Sequence, residues 1–245
     1  MSDQSSLPPK PLVVLPEAPA PAQLFVLFHG ESSSPRQLSG LAAALRQAFP
    51  QAAIVLPHGP IRIGTDIYDW VGNTSPDTRT EASRLADAVS ALAGLVQQLQ
   101  QHYGLSGEHT ALAGFSQGAS LILEACTLWP DLAGRALFFS GRYDHLPLAA
   151  PPKTTLHFLH GTDDDMAPVA RVGEVHARLA ELRGDATLDV ASSVGHELHT
   201  ALIAQAVLRL QTCVPLRSWE KALNELEARD AGDSAVSGNE GRTLH

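Results

Sequence analysis

The chain has 245 residues, 44% of them hydrophobic and 18% charged, with a formal net charge of −9. That length allows a substantial core in one large domain or in one domain with tails, and the balance is that of a globular protein, not a disordered one. The acidic charge argues against non-specific nucleic-acid binding, which needs a basic surface, and no stretch reaches the roughly 18 apolar residues of a membrane span.

Residues 1–22 are proline-rich and are expected to form a flexible lead-in. Their longest apolar run, Leu12 to Leu15, is bracketed by Pro11 and Pro16 and follows no basic region, so it does not read as a secretory signal. Two cysteines, Cys126 and Cys213, are too few for a disulfide framework and sit in apolar helical patterns, as buried free thiols do. The expected location is therefore a reducing cytoplasm.

The main domain is expected over residues 23–214. Short apolar runs between turn signals read as buried parallel strands: Leu24 to Phe28, Ala53 to Leu56, Thr110 to Ala113, Ala136 to Phe139, Thr155 to Leu159 and Thr187 to Val190. Helical patterns lie between them. Leu38, Leu41, Leu45 and Phe49 mark one. Leu85, Val89, Leu92, Val96, Leu99 and Tyr103 put an apolar stripe on a second, with Ser75-Pro76 as its expected N-cap and first residue. Alternation of this kind predicts an α/β fold, a doubly wound, mostly parallel sheet with helices on both faces. The connection from Pro57 to Ser75 carries His58, Arg62, Tyr68 and Trp70 without clear periodicity, and a loop of that length in a compact domain is usually functional.

The densest signal is Gly114-Phe115-Ser116-Gln117-Gly118, behind the apolar run ending at Ala113 and ahead of a helical pattern from Ala119 to Leu128. Strand, tight turn and helix are the context a G-x-S-x-G nucleophile elbow requires. Such a serine takes its acid and histidine from further along the chain, in that order. Downstream, the strand around His157 runs into His160-Gly161-Thr162-Asp163-Asp164-Asp165, and the strand to Val190 leads to Gly195-His196. Both lie at C-terminal strand ends, where open α/β sheets bind their ligands.

These residues, with Phe28-His29-Gly30, Asp69-Trp70 and Ser140-Gly141-Arg142-Tyr143, give the chain a resemblance to the α/β-hydrolases of the phospholipase/carboxylesterase family, which includes acyl-protein thioesterases. The likeness spans about Gln23 to Gln211. It implies an acyl-serine esterase with Ser116 as nucleophile and His196 as base. The family's histidine-glycine-x-x-aspartate spacing selects Asp164 as the acid. The oxyanion donors implied are the backbone N–H groups of Gln117 and Glu31. The family often has a small or apolar residue and a second glycine after histidine-glycine, where this chain has Glu31-Ser32-Ser33-Ser34. A carboxylate facing an oxyanion opposes its formation, so Glu31 must turn its side chain away. Trp70 falls where the family lines its acyl pocket, and anchoring the loop on the core is its equal alternative. Arg142, Tyr143 and His145 follow a strand end, where they either border the site or form a structural turn.

No cofactor and no metal are expected. His196-Glu197-Leu198-His199 is not H-E-x-x-H, and neither a Walker A nor a dinucleotide glycine pattern is present. The expected substrate is a small acyl ester or thioester. Lysophospholipid or amide cleavage on the same triad, and a non-catalytic binding protein on the same fold, are the alternatives. After the domain, Leu216, Trp219, Leu223 and Leu226 mark an amphipathic helix over 215–229, docked on the domain or forming a homodimer contact. Residues 230–245 are polar and expected to be disordered.

Overall fold

The computed structural model describes residues 10–17, 20–72, 80–216 and 218. The chain divides into two compact units, Met1–Gln211 and Thr212–His245. Nearly all of the helix and tail expected over 215–245 lies outside the described residues.

The first unit is built on a seven-stranded sheet of order β1-β3-β2-β6-β7-β8-β9. Its strands are β1 (Leu12–Val14), β2 (Gln23–Phe28), β3 (Ala52–Leu56), β6 (Thr110–Phe115), β7 (Arg135–Phe139), β8 (Thr155–Gly161) and β9 (Ala186–Ala191). All neighbours from β3 to β9 run parallel, as the apolar runs predict. Alternate side chains of each strand feed two separate cores. Leu24, Val26 and Phe28 of β2 join the layer of α2 (Glu81–Tyr103), α3 (Gln117–Leu128) and α4 (Val169–Glu181). Phe25 and Leu27 join that of α1 (Ser39–Ala48) and α5 (Thr200–Thr212).

Three segments depart from expectation. Leu12–Val14, inside the supposed flexible lead-in, pairs antiparallel with β3. Pro11 and Pro16 limit it to a three-residue edge strand, a position that tolerates proline. The long connection contains a hairpin, β4 (Ile61–Gly64) and β5 (Ile67–Asp69), turning at Asp66 with φ 57°. Helix α2 is capped by Thr80, whose hydroxyl accepts from the Ser83 N–H at 3.2 Å, while Ser75-Pro76 lie outside the described residues.

The chain runs from β2 outward to β3, then crosses back over β2 to β6 and continues in the other direction. The two halves of the winding therefore part between β2 and β6, and a ligand crevice forms at the C-terminal ends of such strands. There the Phe28-His29-Gly30 loop and Ser116 meet.

Candidate active site

Ser116 links β6 to α3 with φ 51° and ψ −116°, a region non-glycine residues rarely occupy. Such strain costs on the order of 1–3 kcal/mol and persists only where its surroundings dictate it. Here they do. The Ser116 N–H donates to Phe139 O at 2.9 Å, and its carbonyl accepts from Ala119 and Ser120 N–H at 3.1 and 3.2 Å. A Cβ on Gly114 would strike the backbone of Gly118 and Ala119, and one on Gly118 would strike the carbonyls of Phe28 and His29. Both glycines are required by close approach, and Gly118 lets the head of α3 sit on the end of β2.

Asp164 stands in the turn after β8 and is 4% exposed. Its Oδ1 accepts backbone N–H bonds from Met166 at 3.1 Å and Ala167 at 2.7 Å. Its two carboxylate oxygens also lie 3.0 and 2.9 Å from His196 Nδ1. That contact leaves Nε2 as the free nitrogen of the ring. The His196 ring lies against Phe115, with centroids 4.8 Å apart, next to the Ser116 position. Among the described residues no hydrogen bond joins the Ser116 hydroxyl to this ring. Catalytic contacts of this kind are often loose without substrate. His160 backs the acid, donating from Nε2 to Ala167 O at 2.6 Å and lying 3.5 Å from Asp164 Oδ2. Burial holds its pKa below the ordinary imidazole value, against the opposing pull of the Ala167 carbonyl and Asp164.

The loop after β2 is held from four sides. The Gly59 N–H donates to His29 Nε2 at 3.0 Å, so Nδ1 carries the proton and donates to Gly30 O at 2.7 Å. Burial keeps the His29 pKa low, which suits this neutral tautomer. The Gly30 N–H is taken by Gln37 Oε1 at 2.8 Å. Ser33 bridges to Tyr68 of the hairpin, and the Ser32 N–H is bound by the Asp69 carboxylate. Trp70, 5% exposed, donates from its indole to His29 O at 2.9 Å and packs on Phe28 and His29. These contacts make it an anchor of the loop; its neighbour Val71, not Trp70, lines the adjoining cavity. None of the supporting contacts of Gln37, Asp69 and the Gln117 side chain, which reaches Trp70 N–H at 3.3 Å, is visible in a linear pattern.

Beside the elbow lies a cavity of about 220 Å³ bordered by Glu31, Gln117 and Arg142, with Val71, Leu121 and Tyr143 among its apolar walls. The Glu31 side chain still borders this cavity, where its Oε2 accepts from Arg142 Nη1 at 3.1 Å. Farther along the wall, burial raises the pKa of Glu124 while His145 works against the shift.

A serine elbow beyond a central parallel strand, and a histidine beyond the last one, on a sheet wound in both directions, define the chain as an α/β-hydrolase. More narrowly, it belongs to the phospholipase/carboxylesterase family, whose model matches residues 9–214. It is 30% identical over 214 residues to the esterase YpfH of Escherichia coli (strain K12), covering 87% of this chain and 92% of that protein. Acyl-protein thioesterase 1 of Eremothecium gossypii is 25% identical over 219 residues, covering 80% of this chain and 90% of that one. Among solved structures, esterase PE8 superposes with a TM-score of 0.72 at 27% identity, over 84% of this chain and 99% of its own.

Proposed function

We infer that the protein is a serine hydrolase of the carboxylesterase type, cleaving small carboxylic esters through an acyl-Ser116 intermediate. One observation carries the assignment of residues: a buried carboxylate, Asp164, grips His196 Nδ1 beside a serine held in a strained elbow. Family membership supports the reaction class, and the names of the esterase and thioesterase relatives support an acyl substrate.

A serine hydroxyl is a poor nucleophile until a base takes its proton. In this reading His196 Nε2 accepts the Ser116 proton as Oγ attacks the ester carbonyl. Asp164 holds the ring in that tautomer and stabilises the imidazolium. The negative oxygen of the tetrahedral intermediate lodges between the Gln117 and Glu31 N–H groups, and losing one such donor typically costs ~10²–10³ in turnover. On collapse the alcohol leaves with the proton from His196. Water, activated by the same ring, then releases the acid and restores Ser116. A thioester follows the same course with a thiol leaving. The cavity along Val71, Leu121 and Tyr143 suits an apolar acyl group of modest size.

A fluorophosphonate probe tests the assignment. The wild type should be labelled stoichiometrically and should hydrolyse 4-nitrophenyl esters of short acids; Ser116→Ala should do neither. An unlabelled wild type would favour a non-catalytic binding protein on this fold.

A further inference from the structure

The carboxylate of Glu31 is out of place chemically. Its backbone N–H is assigned to the oxyanion, yet its side chain brings a negative charge to the same cavity where that oxyanion would form. The geometry points to Arg142 as the residue that resolves this conflict. We propose that the Arg142–Glu31 pair is a charge-compensating strut: Arg142 cancels the Glu31 charge beside the oxyanion site, without touching the reacting atoms. The proposal rests on the serine-hydrolase reading above.

Three observations carry it. Arg142 Nη1 reaches Glu31 Oε2 at 3.1 Å across 111 residues of sequence, joining the loop after β7 to the loop after β2. Both residues border the cavity on which Gln117 also opens, so the pair shares that cavity with the residues of both assigned oxyanion donors. The Arg142 backbone is itself fixed to the elbow helix, since its carbonyl accepts from the Ser120 hydroxyl, and Ser120 N–H binds the Ser116 carbonyl at 3.2 Å. The strut thus ties the loop bearing one donor to the helix bearing the other.

Stability is not what the pair supplies. The Arg142 and Glu31 side chains are 44% and 34% exposed, and ion pairs so wetted contribute little to folding. Their effect on a developing oxyanion is different, because a fixed charge bordering a partly desolvated site still acts through an effective dielectric well below that of water. Removing the cation exposes a carboxylate that destabilises the transition state and not bound ester, so kcat should fall while KM holds.

The test is a charge cycle in the full chain, read by 4-nitrophenyl butyrate hydrolysis and by the labelling rate of Ser116 with a neutral fluorophosphonate. R142A should lower kcat and the labelling rate by about 10-fold, with KM and the melting temperature nearly constant. E31Q, which leaves the arginine charge uncompensated beside the oxyanion, should raise kcat and the labelling rate above the wild type. The E31Q/R142A double variant should recover most of the R142A deficit, and R142K should recover part of it. High salt should shrink the R142A deficit, since about 1 M salt screens beyond ~3 Å. A double variant as slow as R142A, or an R142A deficit confined to KM, would overturn the strut while leaving the hydrolase intact. A wild type that neither labels nor turns over ester would remove both.

Discussion

The Asp164 carboxylate has two kinds of partner, the His196 ring and two backbone N–H groups of its own turn. Its neighbours share its chemistry and not its placement. Asp163 and Asp165 are exposed, and Asp163 accepts from the Thr162 hydroxyl at 2.7 Å. An amide at position 164 can still serve the turn, but it offers N–H to a ring nitrogen that needs an acceptor, forcing the unproductive tautomer. Asp164→Asn should therefore lower kcat on the order of 10⁴-fold, as in serine-protease triads, with little loss of stability. Asp163→Asn and Asp165→Asn should change kcat only a few-fold in the same assay; equal losses at all three positions would refute the assignment. At this scale the candidate serine, acid and histidine are legible because each sits in a short local motif. The Arg142–Glu31 pair is not, because it joins side chains that only the folded sheet brings together.

Among the elements, α2 shows what periodicity captures and what it leaves out. Val89, Leu92 and Val96 of its stripe are buried, whereas Leu85 is exposed and borders the cavity instead of the core. The N-terminus of the helix depends on Thr80, a single-residue cap that resembles any other threonine in sequence. Thr80→Ala should cost about 1 kcal/mol, seen as a lower urea midpoint at constant slope. No change would mean that the first turn of α2 is held by something other than its cap. The strands of the central sheet were readable because burial on both faces leaves continuous apolar runs. β1 and the β4–β5 hairpin were not: Leu12, Val13, Ile63 and Ile67 are exposed, so hydrophobic burial writes no clear pattern there.

At the scale of the whole molecule, three histidines among the described residues are buried and kept neutral: His29, His157 and His160, none more than 1% exposed. Burial lowers each pKa, and for His157, also depressed by Arg135 and Arg209, it falls to about 4. Below pH 6.5 the unfolded chain binds protons that these folded sites refuse, so stability must fall as the medium is acidified. For His157 the loss develops between pH 6.5 and about 4 and amounts to about 3 kcal/mol. His157→Asn, which keeps a partner for Thr187, should flatten the fall of the urea midpoint over that interval. An unaltered pH profile would place the acid lability elsewhere. The winding of the sheet followed from the alternation of runs along the chain. That His157 would be locked away did not, since its partner Thr187 is set by the register of β8 against β9.

Among the described residues strand β9 has a neighbour on one side only, and His196 hangs from the segment that follows it. The proposed general base is thus moored to the margin of the scaffold, while the proposed nucleophile is rooted near its centre. Any fraying of that margin would disarm the enzyme long before the bulk of the molecule melts, so catalytic competence and structural integrity are governed by different parts of one polypeptide.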